Sequence, residues 1–395
     1  MRLLVHFQVG TRWSGFGGGL RGAGAALGIS VAVLGVSGRA FAEERNGAGT
    51  ASEKGDARAS ENERVNGHGR EKCVGRAVGT VVAVVPGVVV HGAGHYARCE
   101  RETAKTLMAM EGVGVGSVGG SLTGLALTGA SRYFVAPLAF GAIGGASLFV
   151  ISLVADVYGS AAPAGGTGEP PRRLPRLEIQ TGLRYVYDPQ FRYRAFLSHG
   201  FRLDSRWFWL APELDVALDA KNRRYALKAG HRLVGPSSER DSKSGTRVDL
   251  QLGLTDHDYA DDGFAMRTLE GSFALRLDLT ALGESLRGSF AETELGYARQ
   301  QSRFDGLPGD GTDELLARVS VGAYIGAGRG EFRLGYDHRR DTLAGGLRVR
   351  GIGAGYLGFV HQRSELYFGR WGVASEVALG SAFLASGFVL IRLGS

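Results

Sequence analysis

Residues 191–204, FRYRAFLSHGFRLD, and 208–219, FWLAPELDVALD, decide how the chain folds. In the first, Phe191, Tyr193, Ala195, Leu197, Phe201 and Leu203 share one parity, while Arg192, Arg194, Ser198, Arg202 and Asp204 share the other. In the second, Phe208, Leu210, Leu214, Val216 and Leu218 alternate against Glu213, Asp215 and Asp219. Successive strand side chains point to opposite faces, so each stretch makes a strand with one apolar and one polar face. A helix would need apolar residues three and four apart, which these stretches lack.

The same alternation continues on both sides. About twelve runs are legible, at 176–187, 191–203, 206–218, 222–234, 246–257, 264–280, 288–302, 314–327, 330–340, 347–361, 366–379 and 382–393. Turn-forming pairs such as Asp188-Pro189, Lys221-Asn222 and Gly345-Gly346 separate several of them. The runs are long for a soluble sheet, where strands average about five or six residues. Tilted strands that cross a bilayer and continue beyond it need this length. The expected fold is therefore mainly β, an antiparallel barrel of about twelve strands.

One face of several runs suits lipid: Val248, Leu250, Leu252 and Leu254; Leu269, Phe273, Leu275, Leu277 and Leu279; Leu315, Ala317, Val319, Val321 and Ile325. The opposite face carries Asp249, Gln251, Glu270, Arg276, Asp278 and Arg318, which predicts a polar lumen of mixed charge. Over about 176–395 the chain resembles Gram-negative outer-membrane β-barrels as a class. The resemblance implies membrane lipid as surroundings, insertion by the barrel-assembly machinery, and a solute pore or small binding lumen. Two features depart from the class. The sequence finishes Ile391-Arg-Leu-Gly-Ser395 rather than on an aromatic residue, and long loops such as Gly235–Gly245 and Arg303–Asp313 do not alternate cleanly with short ones.

Upstream lie four other segments. Residues 1–42 read as a signal peptide, with Arg2, Arg12 and Arg21, an apolar stretch from Ala23 to Val36, and Ala40-Phe41-Ala42 as a cleavage pattern. Residues 43–72 are polar and mixed in charge, a disordered spacer. Residues 73–158 form a Gly-rich apolar helical region in which 112–131 and 133–155 lack charge, with Arg132 between them, predicting a helical hairpin. Residues 159–175 are a linker holding Pro170-Pro171. Gly112, Gly116, Gly120 and Gly124 recur every four residues, and Gly141 and Gly145 repeat the spacing, as in small-residue packing between membrane helices. That packing serves either the hairpin itself or self-association of two chains.

Candidate chemistry is confined to His91-Gly-Ala-Gly-His95-Tyr-Ala-Arg-Cys99-Glu-Arg-Glu102. On a helix His91, His95, Cys99 and Glu102 would share a stripe, and all four side chains are acceptable zinc ligands. The competing reading pairs Cys99 with Cys73 in a disulfide, the two being the chain's only cysteines. No HExxH motif, nucleophile elbow or cofactor fingerprint is present. The formal charge of +7 is spread over strand faces rather than gathered in a nucleic-acid patch. Function thus stays at the level of class: an outer-membrane barrel, pore-like or structural in the envelope. The alternatives are an inner-membrane-anchored periplasmic β-domain that binds a ligand, and a lipid-active barrel enzyme.

Overall fold

The computed structural model describes residues 73–163, 165–187, 194–260, 263–305, 309–338, 359–380 and 382–394. The expected signal peptide and spacer, residues 1–72, lie outside them. All described residues fall in one compact unit, Glu71–Ser395.

Four helices precede the sheet: α1 (Arg76–Val84), α2 (Ala93–Ala97), α3 (Arg101–Leu127) and α4 (Arg132–Ala161). A short strand β1 (Gly168–Glu169) follows. The barrel strands are β2 (Leu177–Tyr187), β3 (Ala195–Asp204), β4 (Phe208–Ala217), β5 (Asn222–Val234), β6 (Arg247–Tyr259), β7 (Phe264–Asp278), β8 (Ser289–Phe304), β9 (Asp310–Ala327), β10 (Gly330–Asp337), β11 (Phe359–Phe368), β12 (Trp371–Leu379) and β13 (Phe383–Leu393). Each pairs antiparallel with its neighbours in sequence, and β13 pairs with β2 from Phe383↔Tyr187 to Leu393↔Leu177. The sheet is thereby a closed twelve-stranded barrel with no free edge, which is the only way a sheet can satisfy its backbone within lipid.

The first nine predicted runs match β2–β10 in order, and the tenth, 347–361, lies mostly outside the described residues. The expected break between His361 and Leu366 is absent, and β11 runs through it to a two-residue turn at Gly369-Arg370. Gly369 sits at φ +69°, the left-handed conformation that this tight turn requires. Outward-facing Gln362 and Ser364 hydrogen-bond to each other and interrupt the apolar parity, which hid the strand from the sequence pattern.

Both barrel ends can be named from the strands. At the near end β2 starts and β13 finishes; at the far end lie the β2–β3, β4–β5 and β6–β7 connections. Exposed Trp207, Phe208, Phe368 and Trp371 ring the near end of the outer wall, and Tyr185, Tyr187, Tyr225 and Tyr297 ring the far end. Aromatic side chains favour the two interfaces of a bilayer, apolar on one side and wet on the other. Between them, outward residues on β9 run apolar from Leu315 to Ile325. At about 3.3 Å per residue and a tilt near 40°, this is a band roughly 25 Å tall. Beyond it, β6–β8 carry outward Asp256, Asp258, Arg267, Arg299 and Arg303, so these long strands stand clear of the apolar band.

Cross-strand register lays the outer wall of β4–β8 in rows. Leu210, Ala229, Leu252, Gly271 and Tyr297 form one; Phe208, His231, Leu250, Phe273 and Leu295 form the next toward the near end. The first row alternates large and small, so Ala229 and Gly271 leave dips in the wall.

The helical hairpin lies against the outside of the barrel. Leu107 of α3 and Ile151 and Ala155 of α4 pack with Leu279 and Leu286 of the β7–β8 connection and with Ala291 and Val321 of β8 and β9. Among the described residues, α4 is the one helix long and apolar enough to cross a membrane, over Tyr133–Ala161.

Candidate functional site: the barrel lumen and the histidine knot

The lumen is built from inward residues of alternating charge. Arg276 bridges Glu292 at 2.7 Å and Glu331 at 2.8 Å, and Arg333 reaches Glu292 at 3.1 Å. Arg318 joins Glu294 and Asp337, Lys228 joins Glu270, and Arg363 joins Glu365 and Glu376. Arg184 and Arg224 converge on buried Asp215, each at 3.2 Å. An eight-stranded barrel is just wide enough to fill with side chains, while sixteen or more strands leave a channel. Here long arginines cross the extra width and meet carboxylates on facing strands. A cavity of about 530 Å³ remains among them.

Both ends of that cavity are covered. Toward the far end, inward Val186, Phe196, Ala217, Tyr259, Phe264, Met266, Ala378 and Leu384 form one buried apolar cluster. At the near end the 168–175 segment acts as a strap. Gly168 and Glu169 pair with Gly326 and Ala327, and the Gly328 amide donates to the Glu169 carbonyl. Further along, the Ser242 amide donates to the Arg172 carbonyl, the Leu174 amide donates to the Ser237 carbonyl, and Arg173 pairs with Asp241. These anchors, the β9–β10 turn, the β5–β6 loop and the start of β2, sit around the mouth, so the strap crosses it. Pro171, Leu174 and Pro175 line the cavity from above. The β5–β6 loop is held by Arg232, fully buried, which donates to Asp204 at 2.9 Å, to Asp249 at 3.1 Å and to the Pro236 carbonyl at 2.8 Å.

The four candidate metal ligands do not gather. Cys99 is bonded to Cys73, their Cα atoms 5.6 Å apart, which removes its thiolate. Glu102 is exposed and pairs with Lys105. Gly92 has φ +87°, so the segment turns sharply between His91 and α2 instead of continuing one helix. Among the described residues no group of three or more His, Cys, Asp or Glu side chains is placed to hold a metal ion.

His91 and His95 instead meet α4. His95 Nδ1 lies 2.6 Å from Asp156 Oδ1, and the same carboxylate accepts the backbone N–H groups of Gly92, Gly94 and His95. His91 Nδ1 lies 2.6 Å from Ser152 Oγ, and its N–H donates to Glu111. Both imidazoles, Ser152 and Asp156 are fully buried. Burial pushes the His91 imidazole below its ordinary pKa, against the opposite pull of Glu111 and Asp156. A carboxylate that collects three backbone donors and an imidazole fixes a turn; with no access to solvent it is poorly placed for catalysis. Sequence reasoning missed Asp156. Its signal was there, an acid placed directly after a long uncharged helical run.

The glycines divide. A Cβ on Gly114 would stand 2.8 Å from the Gly145 carbonyl, and one on Gly145 would stand 2.6 Å from that of Gly114. Ser117 Oγ donates to the Gly141 carbonyl, and Gly124 packs on Leu138. The hairpin seam therefore follows Gly114, Ser117, Ser121 and Gly124, a three-four-three spacing that stays on one face. A strict four-residue repeat drifts about 40° per step, which turns Gly112, Gly116 and Gly120 away, with no neighbour within 4 Å of an added Cβ.

No family model matches the chain, and no curated protein does. Among solved structures it is similar to the outer membrane protein Omp33 of Acinetobacter baumannii, at 9% identity over 55% of this chain and 98% of that one, with a TM-score of 0.32. It is also similar to the KdgM porin in complex with disordered oligogalacturonate, at 10% identity over 55% and 99%, with a TM-score of 0.34. A third is the translocator domain of the autotransporter NalP from Neisseria meningitidis, at 12% identity over 61% and 94%, with a TM-score of 0.30. At such scores the likeness adds nothing to the strand pairing, and it is that pairing, with a charged interior and an apolar, aromatic-girdled exterior, that makes this chain a β-barrel of the membrane-spanning type.

Proposed function

We propose that the protein is an outer-membrane barrel whose lumen is closed at rest, a structural element of the envelope rather than a standing pore. The observation that carries this reading is the double closure of the lumen: an apolar cluster around Phe264 and Met266 at one end, and the strap through Pro171 and Leu174 at the other. Ions entering from the far end would lose their hydration against apolar side chains, a cost of several kcal/mol per charge. The exposed apolar wall argues against a soluble periplasmic domain, which would present this band to water.

Planar-bilayer recording of the folded, full-length protein tests this. The expected result is no stepwise conductance for the wild type or for Phe264→Ser/Met266→Ser alone, whose near end the strap still covers, and measurable steps once residues 168–175 are also replaced by a Gly-Ser run, with all three proteins showing the heat-dependent gel shift of a folded barrel. Regular ohmic steps from the wild type would overturn the closed reading.

A further inference from the structure

The hairpin touches the barrel near β8 and β9, but farther along α4 it stands off the wall. Phe140, half-buried, roofs an apolar cleft of about 1260 Å³ whose floor is the two outward rows of β4–β8. The dips at Ala229 and Gly271 deepen this floor, and an added Cβ at Gly271 meets nothing nearer than Leu252 at 3.7 Å. The rows cross five strands, four spacings of about 4.8 Å, so the groove is roughly 19 Å long. Strand tilt makes it oblique to the membrane plane, from the near-end girdle at Phe208 to the far-end girdle at Tyr297.

The near end of the groove has a different character. Arg176, Ser205, His231 and Glu239 line it. Trp207 lies between two guanidinium groups, Arg206 at 5.1 Å and Arg240 at 4.6 Å from its ring centre, and stacks on His231. Three arginines thus stand near two carboxylates of the lining, Glu239, which Arg176 meets only at 3.9 Å, and Asp204, which Arg232 already holds. His231 Nδ1 is buried with no hydrogen-bond partner among the described residues. An unfilled apolar slot of this size beside a spanning helix is costly, because its walls lose their dispersion contacts. Water is a poor filler for an apolar slot.

We propose that this cleft binds one phospholipid with an anionic head group. Its acyl chain lies in the groove under Phe140, and its phosphate sits at the near-end rim among Arg176, Arg240 and His231. The inference rests on the membrane-barrel reading. It adds a specific lipid, distinct from the annular shell, that wedges the hairpin against the barrel. Basic side chains supply the head-group preference, and the small residues of the wall supply the slot.

Native mass spectrometry of the full-length protein, folded in mild detergent and supplied with phosphatidylglycerol or phosphatidylcholine of the same acyl chains, tests the assignment. The wild type should retain one phosphatidylglycerol per barrel, preferred over phosphatidylcholine by roughly tenfold or more. Gly271→Trp, which fills the groove, should abolish retention of both lipids. Gly387→Trp, on the outward face of β13 with nothing within 4 Å, should leave retention unchanged. Arg176→Gln/Arg240→Gln should hold both lipids equally. Retention unchanged in Gly271→Trp, or a wild type indifferent to head group, would overturn the proposal. A wild type that never gives the heat-shifted folded band would instead overturn the barrel reading beneath it.

Discussion

Replacing Arg232 by Ala should destabilise the barrel by about 3 kcal/mol. Its guanidinium is fully buried and holds Asp204, Asp249 and the Pro236 carbonyl at once. Removing one partner from a buried ionic group typically costs about 3–5 kcal/mol, because the remaining charges stay desolvated without compensation. The lower bound applies here. Asp249 keeps Arg247 at 3.2 Å, Asp204 keeps Arg202 at 3.8 Å, and the Ser238 amide still donates to Asp204. A loss of 3 kcal/mol lowers the folded-to-unfolded ratio about a hundredfold. The matching control neutralises the three groups of the triad: Arg232→Met with Asp204→Asn and Asp249→Asn should cost less than the single variant, since an apolar or neutral replacement of a buried ion cluster is often nearly neutral, and Arg202 and Arg247, each losing one carboxylate, keep the Trp209 ring and Glu292. Denaturant unfolding in detergent micelles, followed by the fluorescence of Trp209 on the adjacent strand, measures both. A single variant within about 0.5 kcal/mol of wild type, or a triple variant worse than the single one, would refute the idea that burial of the pair sets its weight.

Other consequences concern the helical region. Gly145→Ala should disrupt the hairpin, because its Cβ would meet the Gly114 carbonyl at 2.6 Å, whereas Gly116→Ala or Gly120→Ala should stabilise α3 by up to about 1 kcal/mol; circular dichroism melts in micelles distinguish the two. The lowered pKa of His91 makes stability pH-dependent with a definite sign. The unfolded chain binds a proton below about pH 6.5 that the folded chain resists, so this stability is full above that pH and is lost as pH falls through the lower folded value; His91→Gln should flatten the acid limb in hydrogen-exchange measurements of α1–α2. Reducing Cys73–Cys99, a cross-link between positions 26 apart, should remove at most about 3.5 kcal/mol from the local fold and expose the α1–α2 turn to protease while the heat-shifted barrel band persists.

The barrel was legible because lipid outside and charge inside impose a two-residue period, which Ala195–Leu203 and Leu315–Ile325 follow except at outward His199 and inward Phe196 and Leu316. Strand β11 was not, because Gln362 and Ser364 face outward, where the pattern expects apolar groups. At the candidate site the disulfide alternative, Cys73–Cys99, is the one present, and the metal alternative fails for a different reason. Helical spacing places His91, His95 and Cys99 on one stripe only if the chain is helical throughout, and the backbone at Gly92 turns instead. What the two histidines do hold lies 61 residues away, at Asp156 and Ser152, a distance in sequence that no local period encodes. The hairpin seam shows the same limit at smaller scale. A four-residue glycine repeat is conspicuous in a sequence, but helix geometry selects the less regular set at Gly114, Ser117 and Ser121.

The pairing of β13 with β2 also orders events in time. Residues 177–187 wait for residues 383–393, and closing a loop of about two hundred residues costs roughly 4–5 kcal/mol of chain entropy before any bond across the join repays it. Until then both strands are open edges with bare amides and carbonyls, flanked by Ile179, Leu183, Val389 and Ile391 facing outward. Such a polypeptide assembles late and as a whole, and during its passage through water it is most vulnerable to aggregation at the two strands that will finally meet.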